Sequence, residues 1–333
     1  MKVIFLSLFI FLFNFIIYLR FENIAENFIF FDKPDGKLKK HKKPVSLIGG
    51  LIILINLYLV IFFLKILNID NAIFSDNFAY IVLILGSLFF IVGLIDDLKN
   101  LSPNTKLILI IFSIILILLF YPEMKLKYIK LTFLEKYYYF NNYSFIFMIL
   151  SFALLANAIN MFDGINLQLL GFTVFVFIIF IVKGFIPIFF ILMLICMFFL
   201  GLLNYQNKIF LGDGGCYLIS SIIGCSFIYQ YKYFENFLFG DEIFIILIVP
   251  AIDMLRLFIY RIINQKHPFK GDLNHLHHIL DRYTKSKTLT VLITISMCIF
   301  PTILMIFKME TYYILILNLI IYISLISYLG YKN

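Results

Sequence analysis

The sequence predicts an all-α polytopic membrane protein, with about eleven transmembrane helices in a single integral membrane domain over residues 1–333. The chain is 63% hydrophobic and 14% charged, whereas soluble domains are about 45–50% apolar and about 25% charged. Its apolar residues come in runs of about 17–22, the length that crosses a bilayer core of about 30 Å. Short polar gaps separate the runs, so the chain is not an ordinary soluble domain.

Eleven apolar runs are interpreted as spans. The first run follows Lys2 and lacks a small-x-small cleavage site before Arg20, so we interpret it as a retained helix and not as a cleaved signal peptide. The turn at Lys183 and Gly184 separates two spans, although one long kinked helix would fit the same residues. The predicted spans are 3–19, 47–67, 78–95, 106–121, 143–160, 167–182, 185–203, 214–231, 242–262, 289–307 and 312–330.

The distribution of Lys and Arg orients the chain. Basic residues concentrate in one set of gaps, which is therefore predicted to be cytoplasmic, with the N-terminus outside and the C-terminus cytoplasmic. The formal charge of +8 then reflects basic cytoplasmic loops, and no nucleic-acid partner is expected. Charged and apolar residues alternate in part of segment 122–142, which predicts a small external hairpin.

Two adjacent carboxylates close the third predicted span. Asp96 and Asp97 lie at the expected membrane edge, where carboxylates need water, a cation or a basic partner. Lys106 opens the next span and is placed to return across the loop to them. This combination suits Mg²⁺ or a phosphate handled by acid and base, and a solvated helix end is the plain alternative.

A polar face ends the fifth predicted span. Asn157, Asn160 and Asp163 are three residues apart, so they share one helix face directed at something polar. Gly164 allows a sharp turn after them, and the alternative is an Asn ladder to a neighbouring helix. Before the eighth span, glycines surround Asp213, which is suited either to hold a cation beside a phosphate or simply to cap the helix.

The densest polar cluster follows the ninth span. His275, His277 and His278, with His267 before them, form a hydrophilic segment that is predicted to be a cytoplasmic loop. Zn²⁺ is disfavoured, because no cysteine is near and the spacing lacks the i,i+4 histidine pair of zinc proteases. Imidazoles here suit phosphate oxygens or sugar hydroxyls, and a solvated basic loop is the alternative.

Two further charged groups complete the inventory. Segment 33–43 is strongly basic and includes Lys40 and His41, although an anionic lipid surface attracts such a run without any specific role. Within the ninth span, Asp253 and Arg256 are spaced to pair with each other, since a charge at that depth needs a partner or a polar cavity.

In this order, the motifs resemble those of the polyprenyl-phosphate N-acetylhexosamine-1-phosphate transferases, the MraY and WecA-like family of glycosyltransferases, over roughly residues 30–290. The family pattern D-D-x-x-x-L-x-x-x-x-K matches from Asp96 to Lys106, and N-x-x-N-x-x-D-G matches from Asn157 to Gly164. The pattern F-x-G-D-x-G matches around Asp213.

The histidine segment resembles the WecA-like branch of that family. The pattern P-F-x-x-D-x-x-H-L-H-H ends at His278, where the peptidoglycan branch resembles a straight H-H-H run. Two departures lie in the loop after Gly164. Asn166 replaces an acid and Leu167 replaces a glycine, and the second departure bears directly on the path of the loop.

The resemblance implies transfer of a HexNAc-1-phosphate from a UDP-sugar, by default UDP-GlcNAc, to undecaprenyl phosphate in the bilayer, with release of UMP. It implies Mg²⁺, with Mn²⁺ as a substitute, in a multi-pass protein of the bacterial inner (plasma) membrane with a cytoplasmic active site; a homodimer is compatible with it. The implied catalytic residues are Asp96, Asp97 and Asp213, the metal ligands Asp213 and Asn160, and the substrate-binding residues Lys40, His41, Lys106, Asn157, Asp163, Asn166, His275, His277 and His278.

Two other functions compete with this one. A transporter or channel also carries charges within the membrane, but transporters bind near the bilayer midplane and often show two related halves. Here the polar groups collect at one face and no related halves are visible. A structural membrane subunit leaves that one-sided clustering unexplained. GlcNAc, GalNAc and a 6-deoxy HexNAc all stay open as the sugar.

Overall fold

The computed structural model describes residues 1–27, 31–32, 44–69, 73–74, 77–233, 238–268 and 272–331, which are mostly helical. The elements in chain order are α1 (Lys2–Leu19), α2 (Phe21–Glu26), β1 (Phe31–Asp32), β2 (Val45–Ser46), α3 (Gly49–Ile66), α4 (Phe78–Lys99), α5 (Pro103–Phe120), β3 (Tyr128–Leu131), β4 (Leu134–Tyr139), α6 (Ser144–Phe162), α7 (Gln168–Val182), α8 (Pro187–Tyr205), α9 (Gly212–Tyr233), α10 (Gly240–Ile246), α11 (Ile248–Ile263), α12 (Leu276–Thr284), α13 (Lys287–Ile306) and α14 (Thr311–Tyr331).

Helices lie at all eleven predicted spans, as expected of a helical polytopic membrane protein. Among the described residues, eight helices (α1, α3, α4, α5, α6, α8, α13 and α14) are long and apolar enough to cross a membrane, and the bent pair α10 and α11 makes nine. Helix α7 has only 15 residues, and α9 carries Gly, Ser and Gln that make it less apolar. The count of eleven spans and their orientation therefore stay predictions.

The ninth predicted span, 242–262, is wrong as one continuous helix. The structure breaks it at Leu247 into α10 and α11, which are bent by 79°. Pro250 explains the break, because proline has no N–H to donate to the carbonyl of Ile246 four residues earlier and its ring clashes with that carbonyl. Between α7 and α8 the chain also turns, at Gly184 with φ +77°, so two helices are present there instead of one kinked helix.

The small hairpin predicted near 122–142 is present. Strands β3 and β4 pair antiparallel, with Tyr128 opposite Tyr139 and Lys130 opposite Tyr137. The rings of Tyr128 and Tyr137 meet edge to face, with centroids 4.9 Å apart, a pairing that stabilises a two-stranded sheet. Its placement outside the membrane stays a prediction.

The chain divides into two compact units, of which the first comprises Met1–Glu123 and Thr173–Ser226 and the second Met124–Phe172 and Phe227–Asn333. In the first unit, α1 packs on α8 and α3. Buried Asn14 and Asn56 join α1 to α3, since each side-chain amide donates to the other's oxygen, over 2.7 and 3.1 Å. This reciprocal pair satisfies two amides that lipid-facing surroundings would leave unpaired.

Close backbone approach in the first unit depends on glycine. The segment before α9 runs along the start of α3, where Gly49 N donates to the carbonyl of Phe210 and Gly50 N to that of Leu211, over 3.2 and 3.0 Å. On the other side, Gly93 of α4 lies so near the backbone that a Cβ there would overlap Asp213 and Gly214. The path of segment 209–215 therefore depends on glycines in α3 and α4, which let its backbone pack directly against theirs.

In the second unit, α6 packs on α11, and α12 packs on α13 and α14. Helix α12 begins immediately after His275, so His277 and His278 lie in its first turn. The expected hydrophilic loop is therefore wrong for these residues, because α12 buries one face that includes Leu276, His277 and Leu280.

Replacing Gly93 by Ala should destabilise the protein and displace the start of α9, because the added methyl meets backbone that cannot turn aside. Overpacking of this kind costs about 1–3 kcal/mol. The matched control in the same helix is Gly86→Ala, whose Cβ would meet only movable side-chain atoms of Leu218 and Ser221, at 3.0 and 3.3 Å. Thermal unfolding of both variants in detergent tests this; equal unfolding temperatures would contradict it.

Candidate functional site

The first unit brings together four of the residues that the sequence analysis selects. Asp96 and Asp97 lie in the last turn of α4, Lys106 in the first turn of α5, and Asp213 at the start of α9. Ser102 begins α5 by accepting from the Thr105 N–H over 3.2 Å, which fixes the short loop between α4 and α5.

Asp97 holds the start of α9. Its Oδ1 accepts from the Asp213 N–H over 2.9 Å and its Oδ2 from the Gly214 N–H over 3.2 Å. A carboxylate so placed satisfies amides that the first helical turn leaves free and lies at the positive end of the helix dipole. Gly212, at φ +71°, permits the approach, because a Cβ there would lie 2.5 Å from Oδ2 of Asp97.

Lys106 is shared between the other two carboxylates. Its Nζ lies 3.2 Å from Oδ2 of Asp213 and forms an ion pair with Asp96. Asp96 is 3% exposed and also accepts from the Leu101 N–H over 2.8 Å, whereas the side chain of Asp213 is 29% exposed. Asp213 is thus more accessible to a ligand than Asp96 is.

The donor set of this cluster fits a hard cation. The cluster holds three carboxylates and one ammonium group, an excess of negative charge that a divalent cation would offset, and oxygen ligands are those that Mg²⁺ and Mn²⁺ prefer. Among the described residues, no group of three or more His, Cys, Asp or Glu side chains forms a preformed metal cage. Mg²⁺ seldom needs one, because one or two carboxylates and substrate phosphates usually complete its shell.

The second unit carries the Asn and Asp residues of α6 and the loop after it. Asn157 donates to the carbonyl of Ala153 over 2.7 Å, Asn160 is half-buried, and Asp163 ends the helix. Asn166 follows in the loop, also half-buried. Leu167, which replaces the family's glycine, adopts a left-handed backbone at φ +70°, so the loop keeps a glycine-like path at a cost of roughly 1–2 kcal/mol.

His277 lies against this loop. A Cβ on Gly164 would overlap its imidazole, so the glycine leaves the space that the ring occupies. Gln168 Nε2 lies 3.5 Å from His277 Nδ1, while Gln168 Oε1 and His277 Nε2 have no partner among the described residues. Burial, together with the imidazoles of His278 and His275, holds the pKa of His277 well below its ordinary value. The ring is therefore neutral near pH 7.

His275 has protein partners at both ring nitrogens. Nδ1 lies 3.2 Å from Asp253 Oδ2, and Nε2 lies 3.4 Å from an Nη of Arg261. Arg261 is 1% exposed and donates to Asp272 over 2.9 Å and to the carbonyl of Pro268 over 2.8 Å. Burial raises the pKa of Asp272, but hydrogen bonds from Arg261 and the Asn274 N–H outweigh this and hold it below its ordinary value.

The structure brings the sequence-selected residues into two clusters, one in each unit, and two residues stay outside them. Lys40 and His41 lie outside the described residues, so their substrate contacts stay predictions. The expected pairing of Asp253 with Arg256 is present at 2.9 Å. Sequence reasoning missed Gln168, Arg261 and Tyr322. Arg261 is eight residues after Asp253 and faces the histidines, a signal that a helical projection of α11 would have shown.

The neutrality of His277 predicts a pH-dependent stability. Its folded pKa lies below the unfolded value of about 6.5, so the unfolded chain binds more protons once the pH falls through about 6.5, and stability drops. At pH 5.5 the loss from this residue should be about 1 kcal/mol. His277→Gln should unfold with a weaker pH dependence between 7.5 and 5.5, as measured by thermal melts. Exposed His267→Gln is the control; identical curves for both variants would contradict the assignment.

Comparison with known proteins agrees with this arrangement. Residues 79–231, which contain the Asp96, Asn157 and Asp213 motifs, match the family described as glycosyl transferase family 4. An undecaprenyl-phosphate alpha-N-acetylglucosaminyl 1-phosphate transferase of Thermotoga maritima is 25% identical over 277 residues, covering 80% of this chain and 79% of that protein. A probable undecaprenyl-phosphate N-acetylglucosaminyl 1-phosphate transferase of Bacillus subtilis is 26% identical over 270 residues, covering 79% and 72%. Over these residues the chain is thus similar to glycosyl transferase family 4, and over most of its length to these two transferases.

Proposed function

We propose that this protein transfers a HexNAc-1-phosphate from a UDP-sugar to undecaprenyl phosphate and releases UMP. The observation that carries the proposal is the first-unit cluster, in which Lys106 joins Asp96 to Asp213 and Asp97 holds the helix start that presents Asp213. Both relatives are named for a transfer to undecaprenyl phosphate. UDP-GlcNAc is the default donor on the same ground.

The reaction brings two anions together. An oxygen of the lipid phosphate forms a bond to the phosphorus that carries the sugar, and the bond from that phosphorus to the UMP oxygen breaks. Such phosphoryl transfers depend on positioning and on neutralising charge more than on covalent help from the protein. Lys106 supplies a positive charge beside Asp213, and Asp96, which is paired with Lys106, would orient the lipid phosphate or accept its proton.

Asp97 has a different task in this proposal. Both of its oxygens accept backbone N–H groups, from Asp213 and from Gly214. Both oxygens of Asp97 are therefore engaged, and protonation of either one would break a bond to the start of α9. We assign Asp97 the role of fixing Asp213 and the amides around it, and Asp96 the direct contact with phosphate.

Asp213 is the residue of this cluster best placed to hold Mg²⁺ or Mn²⁺, and the family resemblance names Asn160 as a second ligand. Bound there, the ion would offset charge on the diphosphate and on the departing UMP. The protein's own contribution is an accessible carboxylate on a rigid helix start, with Lys106 beside it.

The second-unit cluster suits the neutral parts of the donor. Gln168 Oε1 and His277 Nε2 are buried without a partner among the described residues, so one donor and one acceptor stay unused there whichever tautomer and amide orientation they adopt. That pattern complements a hydroxyl or an amide better than a phosphate. Asp163 and Asn166, in the neighbouring loop, would border the uridine, as the family resemblance implies.

The function predicts a specific product and a specific dependence. Purified protein with undecaprenyl phosphate should release UMP from one of a panel of UDP-HexNAc donors, and Asp213→Asn should lower the rate by on the order of 10³-fold. Excess EDTA should stop turnover, and Mg²⁺ or Mn²⁺ should restore it where Zn²⁺ does not. The control is Glu22→Gln, which removes only an exposed ion pair with Lys208 at 2.7 Å. If the protein releases no UMP with any donor, the proposed transferase activity is wrong and a transporter function is favoured instead.

The proposed cytoplasmic site predicts which surface residues an impermeant thiol reagent reaches. The four native cysteines are buried, so an introduced cysteine reports alone. Lys99→Cys, at the exposed end of α4, should react only after cells are permeabilised, because soluble UDP-sugar reaches the Asp96 cluster from the cytoplasm. Tyr139→Cys in β4, where the side chain is 64% exposed, should react in intact cells. Labelling of Lys99→Cys in intact cells would overturn the orientation.

A further inference from the structure

His275 is occupied by protein groups. It is 6% exposed, and its two ring nitrogens lie 3.2 Å from Asp253 Oδ2 and 3.4 Å from an Nη of Arg261. An imidazole engaged at both nitrogens has no polar atom to offer a substrate. His275 can instead influence the position of His277, because the two rings stack with centroids 5.3 Å apart and planes 15° apart.

Asp253 is the centre of the contacts that hold His275. Besides the imidazole, this carboxylate accepts from Arg256 over 2.9 Å, from the Leu276 N–H over 3.1 Å and from the hydroxyl of Tyr322 over 2.6 Å. The Leu276 bond fixes the first residue of α12 itself. A buried polar network whose members are all satisfied is rigid, so these donors together hold the Asp253 carboxylate in one position.

Tyr322 lies in the last helix, 69 residues from Asp253 in sequence. Its hydroxyl donates to Asp253 and accepts from Nε of Arg256 over 2.8 Å, so it bridges the ion pair between those two residues. Arg256 in turn donates to the carbonyl of Asn274 over 2.6 Å. The hydroxyl of Tyr322, which is 2% exposed, thereby closes a ring of bonds around the segment that precedes α12.

We propose that Tyr322 is a positioning residue for the His275–His278 segment, acting through Asp253 and His275. The inference rests on the proposed function for its kinetic consequence, because His277 and His278 are the residues that would meet the donor. It assigns the last helix α14, which lies beyond the family match at 79–231, a part in placing the site. His275 becomes a positioning residue as well.

The test compares two hydroxyl deletions in one helix. Tyr322→Phe removes only the bridging oxygen, and Tyr328→Phe removes the same atom from a side chain that is 52% exposed. In the full-length protein, Tyr322→Phe should lower kcat/KM for the UDP-sugar about tenfold, the usual size for a lost bond to a charged group. The KM for undecaprenyl phosphate should stay within about twofold, and Tyr328→Phe should match the unaltered protein.

A second background separates positioning from a general packing defect. In an Asp253→Ala protein the routes from Tyr322 to His275 and to the Leu276 amide are both already cut, so adding Tyr322→Phe should change kcat/KM by less than about twofold. A tenfold loss that persists in that background would overturn the proposal, and so would a Tyr322→Phe protein that behaves like Tyr328→Phe.

Hydrogen exchange gives a readout that needs no activity. The Leu276 amide donates to Asp253, so Tyr322→Phe should speed its exchange about tenfold or more while Tyr328→Phe does not. If the unaltered protein turned over no sugar nucleotide, the proposed function would fail while this measurement still decided the positioning role. Unchanged exchange at Leu276 would overturn that role even in an active enzyme.

Discussion

The first-unit site depends on one contact, that of the Asp97 carboxylate with the amides of Asp213 and Gly214, the second and third residues of α9. It joins the end of α4 to the start of α9, 116 residues later in sequence. A carboxylate at a helix start gains from both the unpaired N–H groups and the helix dipole. The contact is short only because Gly212 and Gly93 leave no side chain between the two backbones. This contact fixes the position of Asp213, which in turn pairs with Lys106.

The first-unit cluster consists of charged groups, whereas the second-unit cluster includes a buried neutral imidazole. In the first unit, Lys106 is paired with two carboxylates, one buried and one partly exposed. In the second unit, the histidine nearest the Gly164 turn is buried and neutral, and its ring stacks on His275, which contacts an ion pair.

Periodicity and length were sufficient to locate the helices, because an apolar run of membrane-spanning length has few other structures open to it. Pro250 could have predicted the break at Leu247, but the apolar run continues through both residues and suggested one continuous span. The burial of His275 and His277 was not predicted, because a run of polar residues suggests an exposed loop even where those residues begin a packed helix. The role of Tyr322 could not be predicted from the sequence, because nothing distinguishes one tyrosine in an apolar helix from another. Only the structure shows that its hydroxyl meets Asp253, 69 residues away.

The pairing of Lys106 with two carboxylates has a consequence for the empty enzyme. Carboxylates gathered near a membrane would repel one another strongly without a counter-ion, and the protein carries that counter-ion covalently on α5. The cluster can therefore form during biogenesis before any divalent ion or nucleotide has arrived. In the proposed reaction, Lys106 would exchange these carboxylates for a substrate phosphate, so the group that stabilises the empty site would also be the one that binds the substrate.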